Sequence, residues 1–328
     1  MSSRPRYRSF FWPMILIGVG LVWFLANINV IPNFNPLALF NLWPLLLIAI
    51  GLDLLFGRKS ALVGLLIGLG TIGAAIAILL TAPNLGVNTE AVTDLFKEPM
   101  AGVTSAVIDI NSSSEPVNIH ALNDSGNLFE AMIIHTGAVD FRSSGTSEKH
   151  ITLSKRSISV QFFFWQLNFT NFNQRWDIGL NPGVPIQLNV DSGTGSVQMD
   201  LSQLQLSGLY VDGSSGSLVI ELPASAKAYA VDYEGGSGSL TLSLPSGSDV
   251  TLTLDSGSGS LSLLLPANAA VRLDVRDSGS GSVNVPGTMA RKSGSGKTGT
   301  WETADYASAA HKITIIAEDL GSGSLNLR

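Results

Sequence analysis

Six acidic residues recur along the second half of the chain at nearly constant spacing: Asp191, Asp212, Glu234, Asp255, Asp277 and Asp319. Each stands four residues before the glycine of a Gly-Ser pair, at Gly195, Gly216, Gly238, Gly259, Gly281 and Gly323. Carboxylates repeated in this way can do one of two things. Stacked in register at about 4.8 Å along a column of strands, they form a ladder that collects Ca2+ or another cationic ligand, a metal candidate with no further ligands in the pattern. Alternatively, each opens a turn by accepting hydrogen bonds from backbone N–H groups, as aspartate does at chain reversals. The turn reading is favoured, because the segments lack the carbonyl-and-glycine loop of dedicated calcium sites. Repulsion does not forbid the column, since neighbouring exposed charges cost only ~1 kcal/mol in water.

Other chemistry finds little support. The chain has no cysteine, which excludes a thiol nucleophile, a disulfide framework and a Cys-ligated metal. Lys297-Thr298 after Gly294-Ser-Gly296 echoes the end of a phosphate loop, but the pattern requires glycine at position 291, where Arg291 stands. No Gly-x-Ser-x-Gly elbow occurs outside the repeats. His120, His135 and His150 are too far apart for a local metal motif and read as surface strand residues. A net charge of −6 argues against nucleic-acid binding, which wants a basic stripe. No enzyme activity and no cofactor are expected.

The elements that position the acids follow from the same repeat. Successive repeat glycines are 21, 22, 21, 22 and 42 residues apart, the last gap being two periods. Apolar residues follow each glycine at +2 and +4: Val197/Met199, Leu218/Ile220, Leu240/Leu242, Leu261/Leu263, Val283/Val285 and Leu325/Leu327. This is strand alternation, with one face in and one face out. Pro223, Pro245, Pro266 and Pro286 close four of these strands. A second alternating run precedes each glycine, as in Val250-Thr-Leu252-Thr-Leu254. Each period therefore reads strand, Gly/Ser corner, strand, Pro corner. Two short strands cannot bury an apolar side alone, but copies stacked on one another build a continuous core. The pattern predicts an all-β, stacked-strand β-solenoid of 21–22-residue coils over 185–328. A flexible Gly/Ser linker would not hold Leu and Val at fixed offsets from glycine.

The other end of the chain is of a different kind. Apolar residues make up 45% of the sequence and charged ones 13%, which points to membrane spans. Three hydrophobic stretches, 11–31, 37–56 and 61–82, are each about 20 residues, enough to cross the bilayer as helices. Arg4, Arg6 and Arg8 precede the first, and Arg58-Lys59 link the second and third, whereas the link Pro32-Asn-Phe-Asn-Pro36 is uncharged. The positive-inside rule then places the N-terminus in the cytoplasm and everything after Pro83 outside. Trp12 and Trp43 suit interface positions, and Asp53, near the cytoplasmic end, suits pairing with Arg58. Gly64 and Gly68 form a small-xxx-small pair that could seat a neighbouring helix.

A linker over 84–103, with room for a short helix from Glu90 to Lys97, leads to a first β unit over 104–184. This unit carries an aromatic insert, Phe162, Phe163, Phe164, Trp165, Phe169 and Trp176. Consecutive rings cannot all face one side of a strand. Some of them must therefore find cover on the second face, either from the first β unit or an edge of the stack, or by contact with the membrane–water interface or a protein partner.

Three stretches carry a family resemblance. Phe11-Trp-Pro-Met-Ile-Leu-Ile-Gly-Val-Gly20 and Leu42-Trp-Pro-Leu-Leu-Leu-Ile-Ala-Ile-Gly51 resemble the transmembrane region of LiaI- and LiaF-type bacterial envelope proteins. Leu128-Phe-Glu-Ala131 and Trp176-Asp-Ile-Gly-Leu-Asn-Pro-Gly-Val-Pro-Ile-Gln-Leu188 resemble the attached toast-rack domain. Ala304-Asp-Tyr306, Ile313-Thr-Ile315 and Gly321-Ser-Gly323 resemble its usual ending. The resemblance implies a response to cell-wall-active antibiotics and a membrane histidine kinase as partner. The long periodic stack departs from the best-known members. The expectation is a non-catalytic protein anchored in the lipid bilayer, a sensor, modulator or scaffold of the envelope, with a surface adhesin or carbohydrate-binding module as the alternative.

Overall fold

The computed structural model of the chain describes residues 11–28, 42–56, 61–81, 91–135, 138–156 and 174–328. It divides into a helical unit and a β unit. In the helical unit, α1 (Phe11–Asn27), α2 (Trp43–Leu55) and α3 (Ala61–Thr81) fall on the three hydrophobic stretches. Pro44 sits in the first turn of α2, where its missing N–H costs no hydrogen bond. Among the described residues no helix is long and apolar enough to cross a membrane. α1 and α2 have 17 and 13 residues, and side chains are described over 62–78 of α3. Gly64 and Gly68 are both buried on α3. A Cβ at Gly68 would come within 2.9 Å of Met14 Cβ, and one at Gly18 would overlap Ile72, so α1 and α3 meet where side chains are smallest.

The β unit is a stack of seven coils, each giving one strand to an 11-stranded sheet (B) and one to a 10-stranded sheet (A). In chain order the coils are β2 (Ser105–Ser112) with β3 (Val117–Ala121), then β8 (Pro185–Ser192) with β9 (Val197–Asp200). β10 (Gln205–Gly213) with β11 (Ser217–Glu221) and β12 (Tyr229–Gly235) with β13 (Ser239–Ser243) follow. Next come β14 (Val250–Ser256) with β15 (Ser260–Leu264), and β16 (Val271–Val275) with β17 (Ser282–Asn284). The last coil is β20 (Ile313–Asp319) with β21 (Ser324–Leu327). Neighbouring coils pair in parallel in both sheets.

The expected alternation is what fills the space between the sheets. In sheet B, Ile108, Leu188, Leu209, Val231, Leu252, Ile315 and Leu273 form one inward row, each at 2% exposure or less. In sheet A the row Val197, Leu218, Leu240, Leu261 and Leu325 is equally dry. No single coil could bury these side chains, so their neighbours above and below supply the cover.

The corners explain the glycines. A Cβ at Gly216 would overlap the carbonyl oxygen of Gly195, one at Gly238 that of Gly216, and one at Gly259 that of Gly238. Such carbonyls are held in place: Gly216 O accepts a 3.1 Å hydrogen bond from the Ser239 amide, and Gly259 O, which a Cβ at Gly323 would overlap, accepts one of 3.1 Å from Ser324. The coil spacing thus leaves no room for a side chain at this position.

Four features differ from the sequence expectation. The segment assigned to a linker and short helix is a strand, β1 (Val92–Pro99), antiparallel to β4 (Asn127–His135) with Val92 opposite His135. Tertiary pairing overrides local helix propensity here, and Phe96 stacks on Phe141 at 5.1 Å. The stack also begins before residue 185. β2 and β3 form its first coil, and β4, β5 (Ala138–Ser144), β6 (Glu148–Arg156) and β7 (Arg175–Leu180) are an excursion that extends both sheets. The double gap between Gly281 and Gly323 does not hold an extra coil in series. It holds a hairpin, β18 (Met289–Ser295) and β19 (Thr298–Thr303), which pairs with β16 at the edge of sheet B. Finally, the last coil in sequence is not last in space, because β20 lies between β14 and β16, and β21 between β15 and β17.

One buried charge fastens the excursion to the stack. Glu115, at 3% side-chain exposure, pairs with Lys155 of β6. Burial alone would push its carboxyl up. The hydrogen bonds from Lys155 and the Ser114 amide, with the ammonium charge, outweigh burial and hold it below the usual carboxylate range.

Candidate functional site

The parallel register brings the six acids into one column at the rim of sheet B. Asp212 stands opposite Asp191 on one side and Glu234 on the other. Glu234 stands opposite Asp255, and Asp255 opposite Asp319. The Asp277 amide donates to Glu318 O at 3.1 Å, which places Asp277 next and last. The order in space is therefore 191, 212, 234, 255, 319, 277, with the inserted coil reversing the final two.

The turn-opening role holds at one end only. Asp277 Oδ1 accepts the Gly279 amide at 2.8 Å and Asp319 Oδ1 the Gly321 amide at 2.7 Å. Both glycines adopt positive φ, +48° and +50°, as such turns require. Asp191, Asp212, Glu234 and Asp255 make no such bond among the described residues, so the turn expectation is corrected for these four. Two of the four, Asp191 and Glu234, are held from the side by donors that sequence reasoning passed over. Asn111, one rung before Asp191, donates to it at 2.8 Å, and Tyr210 donates to Glu234 at 2.9 Å. The bond to Glu234, then burial and the charge of Glu234, push the Tyr210 phenol up to about 12. Only register could have revealed Asn111, because it precedes the repeat.

Asp212 is flanked by carboxylates on both sides. Burial first, then the charges of Asp191 and Glu234, hold its carboxyl above the usual range. A carboxyl whose folded pKa is raised binds its proton more tightly when folded. Its ionisation therefore works against folding at neutral pH, and that penalty disappears as pH falls below the ordinary carboxylate pKa of ~4. Asp212→Asn is expected to raise the melting temperature at pH 7 by the equivalent of less than ~1 kcal/mol, as fits exposed charges. The gain should vanish by about pH 3. Among the described residues no group of three or more His, Asp or Glu is placed to hold a metal ion. A large rise on adding millimolar Ca2+, lost in Asp212→Asn, would show a cation ladder after all.

The remaining candidates scatter. Phe162, Phe163, Phe164, Trp165 and Phe169 lie outside the described residues. Trp176 is 1% exposed in β7, across from Val117 and Ile133, so it belongs to the core and not to a contact surface. His135, expected on the surface, is buried and bonds Asp94 of β1 at 2.9 Å. His120 faces Asp177 and His150 faces Asp109, each at 3.6 Å on a different strand. Lys297 donates to Gly281 O at 2.5 Å and closes a coil corner, not a phosphate loop. The basic residues Arg4, Arg6, Arg8, Arg58 and Lys59 lie outside the described residues.

One chain thus carries an apolar helical region and a stack of β-coils with an acidic rim. Residues 10–55 match the LiaI-LiaF-like transmembrane region, and residues 93–243 match the N-terminal domain of toast_rack, DUF2154. The chain thus has the LiaF-type architecture, a LiaI-LiaF-like transmembrane region followed by a toast-rack domain, and it associates with membranes through that region. Among solved structures, a proposed cell adhesion protein from Clostridium sporogenes ATCC 15579 is similar over 73% of this chain and 99% of its own. Its TM-score is 0.50 at 16% identity, a likeness of fold alone. A proposed adhesin from Bacteroides fragilis NCTC 9343 covers 74% of this chain and 98% of its own, at TM-score 0.30 and 11% identity, too low to carry an argument. No curated protein matches the chain.

Proposed function

We propose that this is a non-catalytic, multi-pass membrane protein that displays its β unit outside the cytoplasm as a sensor, modulator or scaffold of envelope stress. The observation that carries this reading is the pairing, in one chain, of a LiaI-LiaF-like transmembrane region with a toast-rack stack. The helices α1, α2 and α3 fall on the hydrophobic stretches 11–31, 37–56 and 61–82, which this reading takes as three spans. A membrane histidine kinase is the partner that the architecture suggests.

Copurification of the full-length chain from its own membranes should return a membrane histidine kinase. Deleting the chain should change that kinase's phosphorylation under a cell-wall-active antibiotic. An unchanged kinase response would remove the modulator role. The alternative is a surface adhesin or carbohydrate-binding module, and the proposed adhesion role of the Clostridium sporogenes protein with the same fold favours considering it. Retention of the β unit on purified cell-wall glycan, with no kinase recovered, would favour the adhesin.

A further inference from the structure

The insertion of the last coil between two earlier ones has a consequence for how copies of this chain meet. β14 and β16 pair with the two sides of β20 in the same register: Val250 and Val271 both oppose Ile313, and Leu252 and Leu273 both oppose Ile315. The same holds in sheet A, where Ser260 and Ser282 both oppose Ser324. The corners agree as well, since Asp-Ser-Gly-Ser-Gly-Ser stands at both 255–260 and 277–282. The coil 271–285 therefore fits directly on the coil 250–264 in the register that the inserted coil now mediates. It also leaves the ribosome before residues 313–328, so it can occupy that place first.

The last coil thus enters a slot that can close without it. It is joined to the preceding hairpin by residues 304–312, which can span about 30 Å when extended. At its entry the Lys312 amide bonds Asp249 Oδ1 at 2.8 Å, His311 lies 3.6 Å from Asp249, the Ile313 amide donates to Ala270 O at 2.9 Å, and Tyr306 and Thr314 share a hydroxyl bond of 2.8 Å. The ion pair between Glu318 and Arg276 joins it to the residue that follows β16. The ion pair of Glu318 with Arg276, and every strand pairing of β20 and β21, is available equally to residues 313–328 of another molecule.

We propose that residues 313–328 are an exchangeable strand donor, and that two copies of this chain associate by each inserting this coil between β14 and β16 of the other. The partner is a second copy of the same chain, recognised through two parallel ladders and one dry apolar row. Reciprocal exchange leaves no strand edge unpaired, which is what makes swapped dimers inexpensive to form.

The absence of native cysteine makes the test direct. Thr253 and Ile316 oppose each other on the outward face of β14 and β20. Two differently tagged full-length chains, one with Thr253→Cys and the other with Ile316→Cys, would be co-expressed in membranes and oxidised. A chain carrying both substitutions calibrates the bond in cis. A control replaces Thr253→Cys with Tyr210→Cys, two rungs farther along sheet B. A disulfide-linked heterodimer with Thr253→Cys that is lost with Tyr210→Cys is the expected result. Equal heterodimer yield in the control, or no heterodimer while the double variant bonds fully in cis, would overturn the proposal.

Discussion

Leu242→Asp is expected to leave the β unit without a cooperative melting transition. Leu242 is 1% exposed and lies in sheet A between Ile220 and Leu263, which oppose it on the two neighbouring coils. A carboxylate there meets hydrocarbon on both sides, so ionised or protonated it goes unpaired. Burying it costs several kcal/mol, on the order of the ~5–15 kcal/mol that holds a whole domain together. Leu263→Asp, at a 0% exposed position in the same row, should behave alike. Circular dichroism against temperature checks this on a fragment that starts at Ala91. A fragment starting at Met100 would remove β1 and bare the edge of β4, and would confuse the measurement. A folded, monomeric Leu242→Asp with unchanged melting would mean that the inward row has been assigned to the wrong face.

Gly238→Ala should destabilise by about 1–3 kcal/mol or more, far beyond the usual cost of losing a glycine, because the added methyl overlaps a backbone oxygen. That oxygen, on Gly216, is held at 3.1 Å by the amide of Ser239, so it cannot turn aside without breaking a ladder bond. Flexible side chains could yield, but stacked backbone cannot. Gly287→Ala is the control, since nothing lies within 4 Å of a Cβ built there. Equal melting temperatures for the two variants would show that the coils can separate more than the described spacing allows.

The same two residue types account for what could be foreseen. Leucine or valine at fixed offsets from glycine reports both the strand period and the stacking, and the inward rows follow from it residue by residue. The membrane region was legible because long apolar runs are rare in soluble chains. The order of the last two coils was not legible, since 250–264, 271–285 and 313–328 share one register and sequence order does not choose among equivalent neighbours. β1 was missed because Val92–Pro99 carries Asp94, Lys97 and Glu98, which look helical, and only pairing with β4 makes the segment a strand. The acidic column was visible as a period. The donors that hold it were not, because Asn111 and Tyr210 reach it only across strands.

Thiol accessibility on intact cells addresses the membrane display most directly. Single cysteines at Ser2→Cys, Ser60→Cys and Ser246→Cys can be introduced into a chain that has none of its own. An impermeant thiol reagent should label Ser246→Cys alone, with the other two labelled only after the cells are opened. Labelling of Ser60→Cys in intact cells, or protection of Ser246→Cys, would contradict a three-span protein with its β unit outside.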